Sequence, residues 1–271
     1  MQLQKVVMLM RHGVRPPTKP YVIPPGYASQ AWPKWDVPPG HLTRHGYDGA
    51  VLLGRWNRKM LSKRGLLPAD GCPADGRVRI HADTDQRTRR TGVGFAEGFA
   101  PDCTIEVTHT GGDRDDPLFA PIANGAVSYD PEKAKALILA RADHDLGSFD
   151  AAVLDKAFQR LDAILDCCSL PLCKASGLPE GCQLSQIHYV WEELREDDHV
   201  DFVGPLSVGG TASESILLEY ANGMPMAQVG WGRVQRSDLR LLSRIHAAEF
   251  DLLSRTPYAA SHGATPIMKY V

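Results

Sequence analysis

Residues 4–10, Gln-Lys-Val-Val-Met-Leu-Met, form a short apolar run that breaks off at Arg11-His12-Gly13. A run of this length bounded by turn residues predicts a buried strand. From Thr43, apolar positions recur at helical spacing through Val51, Leu52, Trp56, Met60 and Leu61 until Gly65. This predicts a helix over 43–64 with Thr43 as its N-cap. Alternation over 77–82 predicts a second strand, 91–100 a helix, and 104–108 a third strand. Strand and helix taking turns imply an α/β domain with a largely parallel sheet. Past residue 115 the period changes. Segments 131–142, 149–167, 184–196, 211–222 and 233–256 read as helices with no strand between them. A further apolar-periodic segment opens behind Thr265-Pro266 and runs to Val271. Between the first strand and first helix, residues 16–42 hold eight prolines, which predicts a long ordered loop because proline denies both helix and central strand.

Composition narrows the class. The chain has 271 residues, 43% hydrophobic and 23% charged, with a formal net charge of -2. These values exclude a disordered chain, a fibre and a coiled coil, and the charge argues against a nucleic-acid partner. No stretch approaches the ~18–20 apolar residues that span a bilayer. The run Val6–Met10 is too short for a secretory signal, so the reading is a cytosolic protein or a mature secreted form. The six cysteines include no paired C-x-x-C arrangement of a zinc site. Their even number in loop-like settings favours disulfides and an oxidising compartment.

The candidate chemistry sits at strand ends. Arg11-His12-Gly13-Val14-Arg15 follows the first strand, where α/β sheets bind ligands. Arginine forks match phosphate oxygens. An imidazole among cations stays neutral and keeps a lone pair for nucleophilic attack. Asp83-Thr84-Asp85-Gln86-Arg87 follows the second strand and would bring a third arginine alongside. The competing reading of the first motif is a surface turn; for the second, a dipole-matched helix start is compatible, with Asp83 or Asp85 as cap and Arg87 pointing inward. His41 and His45 are four apart, but the glutamate of a helical zinc motif is missing. His81, His109, His188, His199, His246 and His262 fall in no constellation.

With RHGVRPP and DTDQRT in place, the chain resembles the histidine acid phosphatases of the phosphoglycerate-mutase-like fold. The bacterial periplasmic branch with 4-phytase and glucose-1-phosphatase is the nearest in pattern. Further stretches carry the likeness: AWPKW, FAPDC, DPLF, GMPMAQVGWGR and LLSRTPYAASHGATP. The resemblance implies an α/β domain over 1–115 and 240–271, its mostly parallel sheet flanked by helices, with a helical insert over 116–239. It implies His12 as the nucleophile that becomes phosphohistidine, and Arg11, Arg15 and Arg87 as the phosphate-binding trio. Thr18 and Lys19 would touch the rest of the substrate, the lysine suiting additional phosphates. Asp83, Glu214 and Arg255 would lie in or near the pocket, Asp83 being placed to orient Arg87.

The same resemblance implies a phosphomonoester hydrolase acting at acid pH on phytate or sugar phosphates, with no metal or cofactor. Its setting would be periplasmic or secreted, and it would be a monomer when complete. Cys72 with Cys103 and Cys173 with Cys182 fit as bridges. Cys167 and Cys168, being adjacent, leave one thiol for a partner elsewhere. The family's general acid lies in a His-Asp dipeptide downstream of the block resembling LLSRTPYAASHGATP, so the chain reads as ending before it. His144-Asp145 reads instead as a loop pair or helix cap, and Glu249, on a helix face, is likewise no convincing acid. Two alternatives stand beside the hydrolase: a cytosolic phosphotransferase of the mutase class, and a phosphate-binding fragment with little turnover.

Overall fold

The structure is a computed structural model that describes residues 3–19, 23–111, 116–167, 183–192 and 199–271, without the side chains of 150–153. Helix α1 (Arg44–Lys63) starts where Thr43 Oγ1 accepts the Gly46 N–H at 3.0 Å. The Thr43 N–H also donates to Val14 O at 3.1 Å, so the helix start is tied to the histidine-bearing loop. Strand β1 (Ile80–His81) leads into α2 (Gln86–Phe99) and then β2 (Val107–Thr108). The strands pair in parallel, Ile80 opposite Val107, and α2 is their crossover, as parallel pairing requires. A core of Leu61, Phe95, Phe99 and Ala100 seals α1 against α2, with Met10, Ile80 and Ile105 packed around it. The two helices touch through glycine. A Cβ on Gly98 would stand 1.9 Å from Val51 O, and one on Gly54 would stand 2.2 Å from Phe95 O.

The larger core is helical. Helices α3 (Pro131–Arg141), α4 (Leu146–Leu165), α5 (Pro205–Ala221), α6 (Arg236–Leu253) and α7 (Pro257–Tyr270) follow in order. Leu154, Leu161 and Ile164 from α4, Leu206 and Ile216 from α5, and Leu242 and Ile245 from α6 are shut off from solvent. Helix α6 crosses residue 240 without a break and packs on α4 and α5. Asp145 caps α4 by accepting the Gly147 N–H at 3.0 Å, the capping role read for the His144-Asp145 pair.

Several expectations need correction. Residues 4–10 enter no ladder among the described residues, and Val7 and Leu9 are 51% and 71% exposed. A strand exists only where a neighbour offers backbone donors and acceptors, and no described segment does so here. Segment 184–196 is not a helix over its described part. A 3-10 turn (Leu184–Gln186) precedes β3 (Val190–Trp191), which pairs antiparallel with β4 (Phe202–Val203). Tyr189 and Trp191 both meet the Phe202 ring edge-on, at 5.3 and 5.7 Å, and these cross-strand aromatic contacts outweigh the helical spacing. The final helix begins at Thr256-Pro257 and carries Pro266 inside it, instead of starting behind Thr265-Pro266. Helix α2 opens at Gln86, five residues ahead of the predicted start, which puts Arg87 in its first turn.

Cys72 and Cys103 form a disulfide with Cα atoms 5.5 Å apart. Cys168, Cys173 and Cys182 lie outside the described residues. The proline-rich loop is fastened to the helical core by a turn in which Gly230, Trp231 and Gly232 all have positive φ, of 51°, 57° and 78°. Glu219 Oε2 accepts the Gly230 N–H at 2.8 Å. The Trp231 indole N–H donates to Ala31 O at 2.9 Å, and its ring lies 4.8 Å from that of Trp32.

Candidate active site

The loop bearing His12 is held by backbone contacts that leave no room for larger residues. The Gly13 N–H donates to Thr91 Oγ1 at 3.0 Å. A Cβ on Gly13 would come within 2.5 Å of Gly46 O, and one on Gly46 within 2.5 Å of Val14 O. The loop therefore rests directly on the first turn of α1, while α2 grips it through Thr91. The Leu42 N–H donates to Gln86 Oε1 at 2.9 Å, which ties the α2 start to the same corner.

His12 Nδ1 lies 2.8 Å from Gly13 O. A carbonyl only accepts, so Nδ1 carries the proton and Nε2 keeps the lone pair. Burial depresses the His12 pKa; the Gly13 carbonyl opposes this, and Arg15, Arg87 and Arg11 push it down further. The ring is thus held neutral, with an unprotonated Nε2, among three guanidinium groups.

Arg15 is buried, and its Nη1 donates to Pro16 O at 3.1 Å. Glu214 on α5 reaches across, its Oε1 lying 3.1 Å from Arg11 Nη2 and 3.5 Å from Arg15 Nη2. Arg87 is paired with Asp85. The Nε donors of Arg15 and Arg87 are buried and have no acceptor. Three cations against two carboxylates, with unspent buried donors, make a cradle with surplus capacity for an anion.

Glu214 and the three arginines stand together, and Thr18 is near them. A Cβ on Gly40 would touch both Thr18 Cγ2 at 3.5 Å and Arg87 Nη1 at 3.6 Å. Lys19 is exposed and close enough to Asp201 to lower its pKa. Asp83 does not orient Arg87. Its Oδ1 accepts the backbone N–H groups of Thr84 and Asp116, at 2.8 and 3.1 Å, and Asp85 is the partner of Arg87 instead. Arg255 is exposed and faces Asp251 at 4.0 Å, a carboxylate that Arg141 holds at 2.6 Å.

Two groupings escape a sequence reading. Asp116 is buried and accepts from His81 Nε2 at 2.7 Å and Thr110 Oγ1 at 3.1 Å, which anchors the loop whose N–H holds Asp83. Beside Glu214, a cavity of about 250 Å³ is lined by Asp201, Thr211, His246, Glu249, Phe250, Leu253 and Ser254. Its members come from 201 to 254 and show no common spacing, so only packing reveals them. Among the described residues no cluster of three metal-ligating side chains is present.

The geometry agrees with what the chain matches. The description "Histidine phosphatase superfamily (branch 2)" fits residues 2–173. The phytase AppA of Escherichia coli is 39% identical over 276 residues, a match that covers 100% of this chain and 62% of the relative. A glucose-1-phosphatase of Salmonella typhimurium is 31% identical, with 100% and 63% covered. The solved Hafnia alvei phytase in its apo form superposes with a TM-score of 0.91 at 34% identity, covering 99% of this chain and 65% of that one. The chain therefore spans somewhat under two thirds of the length of these relatives. It shares their α/β fold with a helical part, and it belongs to the histidine phosphatase superfamily, branch 2.

Proposed function

We propose that the protein hydrolyses phosphomonoesters, phytate or sugar phosphates among them, through a phosphohistidine at His12 Nε2. One observation carries the reading: the Nδ1 proton is committed to Gly13 O, which leaves an unprotonated Nε2 on a ring close enough to three arginines for them to depress its pKa. In-line attack on phosphorus forms the N–P bond as the ester oxygen leaves. The guanidinium groups of Arg11, Arg15 and Arg87 balance charge on the equatorial oxygens. Water then attacks phosphorus and releases phosphate, restoring neutral His12. Protonation of the leaving oxygen needs an acid, and Asp145 of the His144-Asp145 pair is spent on capping α4. A nitrophenyl ester, whose leaving group needs little protonation, is therefore the substrate for testing the 271-residue chain.

The test is a rapid quench of that reaction followed by detection of the phosphorylated chain. Wild type should carry one acid-labile phosphoryl group on His12, and His12→Ala none. Equal labelling of the two overturns the proposal. The Cys72–Cys103 bridge supports a periplasmic or secreted setting, and we propose a monomer acting on a small-molecule ester without a metal or cofactor.

A further inference from the structure

We propose that the cavity beside Glu214 receives the alcohol part of the ester and selects an alcohol bearing hydroxyls over one bearing further phosphates, with Glu249 as the selecting residue. This rests on the phosphatase reading above and narrows its substrate class. Glu214 belongs to both places. One of its oxygens bridges Arg11 and Arg15, and its residue also lines the cavity with Asp201, His246 and Glu249. On this proposal, the ester group of a phosphate held by the arginines lies against a wall that holds three carboxylates.

The chemistry of that wall is one-sided. Ionised carboxylates only accept, so they suit the O–H donors of a sugar or polyol. A second phosphate brings acceptors and charge where acceptors already stand, which is rejection by design of the site and not by its size. Phe250 and Leu253 supply an apolar surface for the C–H face of a ring, and Thr211 is a further polar lining residue.

Glu249 is built into position. Its Oε2 occupies the space above Gly210, where a Cβ would be only 2.2 Å away. His246 Nδ1 lies 3.4 Å from that same oxygen. Burial raises the Glu249 carboxyl; His246 opposes this, and Asp201 and Glu214 add to it. Charge on the wall, and with it the selection, grows as pH rises. The exposed cations Lys19 and Arg255 each have a carboxylate neighbour. Lys19 acts on Asp201, itself raised by burial and Glu192 and lowered by Phe202 N–H, Lys19 and His199. Arg255 faces Asp251.

The test is calorimetric titration of the 271-residue chain with glucose 1-phosphate, myo-inositol hexakisphosphate and inorganic phosphate at neutral pH and low salt. Wild type should bind glucose 1-phosphate more tightly than the hexakisphosphate. Glu249→Gln should shift the ratio of the two affinities about tenfold toward the hexakisphosphate, and high salt should shrink that difference. Asp201→Asn should shift the ratio in the same direction, and it carries the test if Glu249→Gln does not fold. Tighter hexakisphosphate binding by wild type, or a ratio unmoved by both variants, overturns this proposal alone. A wild-type chain that binds no inorganic phosphate overturns the phosphate-cradle reading, and this proposal with it.

Discussion

A histidine becomes a nucleophile when one ring nitrogen is committed to its proton and the other is left facing the electrophile. Gly13 O fixes the proton on His12 Nδ1, and in the proposed reaction the surrounding arginines bind the group to be attacked. Arg15 and Arg87 each keep a buried Nε donor without an acceptor, so on the proposed reading they contribute most to phosphate binding. Arg15→Ala or Arg87→Ala should cost about 2–3 kcal/mol, a roughly 30- to 150-fold weaker Kd for inorganic phosphate measured by titration. Glu219 is a second residue with a chemical consequence. Burial raises its pKa from 4.5 to about 7, and the Gly230 N–H only partly offsets this. The folded state then holds a proton that the unfolded chain releases above about pH 4.5. The stability this gives is full below that pH and is lost as pH rises through 7. Glu219→Gln keeps an acceptor for Gly230 and removes the charge. It should flatten the decline in denaturation midpoint and gain about 3 kcal/mol above pH 7. The motifs around His12 and Arg87 were legible in the sequence because each is local. The roles of Glu219 and Glu249 were not, because burial made by distant segments defines them.

Among the elements, α1 and α2 matter most because they hold the two halves of the cradle. Thr43 ties α1 to the His12 loop, the Gly13 N–H ties that loop to Thr91 of α2, and the first turn of α2 carries Arg87. Their close approach through Gly54 and Gly98 makes that distance short. Gly98→Ala would drive a methyl into Val51 O. It should cost about 1–3 kcal/mol in urea unfolding, and it should weaken phosphate binding although no ligand atom is near it. The helix over 43–64 was legible because its cap and spacing agree. Segment 184–196 was misread because Leu184, Ile187 and Trp191 happen to keep a helical rhythm. The Phe202 ring that Tyr189 and Trp191 meet lies eleven or more residues away, beyond any local pattern. The end of α2 was clear, and its start agrees with the helix start weighed for the Asp83–Arg87 motif, since Asp85 is its N-cap.

At the scale of the molecule, two cores share one chain, and the smaller has few fully buried side chains. The Cys72–Cys103 bridge closes a 31-residue separation across this smaller part. Reduction should lower its stability by about 3 kcal/mol, visible as an earlier loss of α1 and α2 in hydrogen exchange while α4 to α6 remain protected. Apolar side chains also remain uncovered: Val7, Leu9, Leu52, Trp56 and Met268. The run 4–10 was read correctly as apolar and wrongly as buried, since burial depends on what lies against it and sequence alone does not supply the neighbour.

The left-handed turn at 230–232 has one more use. Its indole stands 4.8 Å from that of Trp32, with the planes inclined at 53°. Two chromophores so close and tilted exchange excitation, and the pair should give a split band in ultraviolet circular dichroism. The band belongs to the contact between the proline-rich loop and the helical core, so its amplitude is an optical gauge of whether that loop is seated. Trp32→Phe should abolish it while leaving the far-ultraviolet helix signal intact.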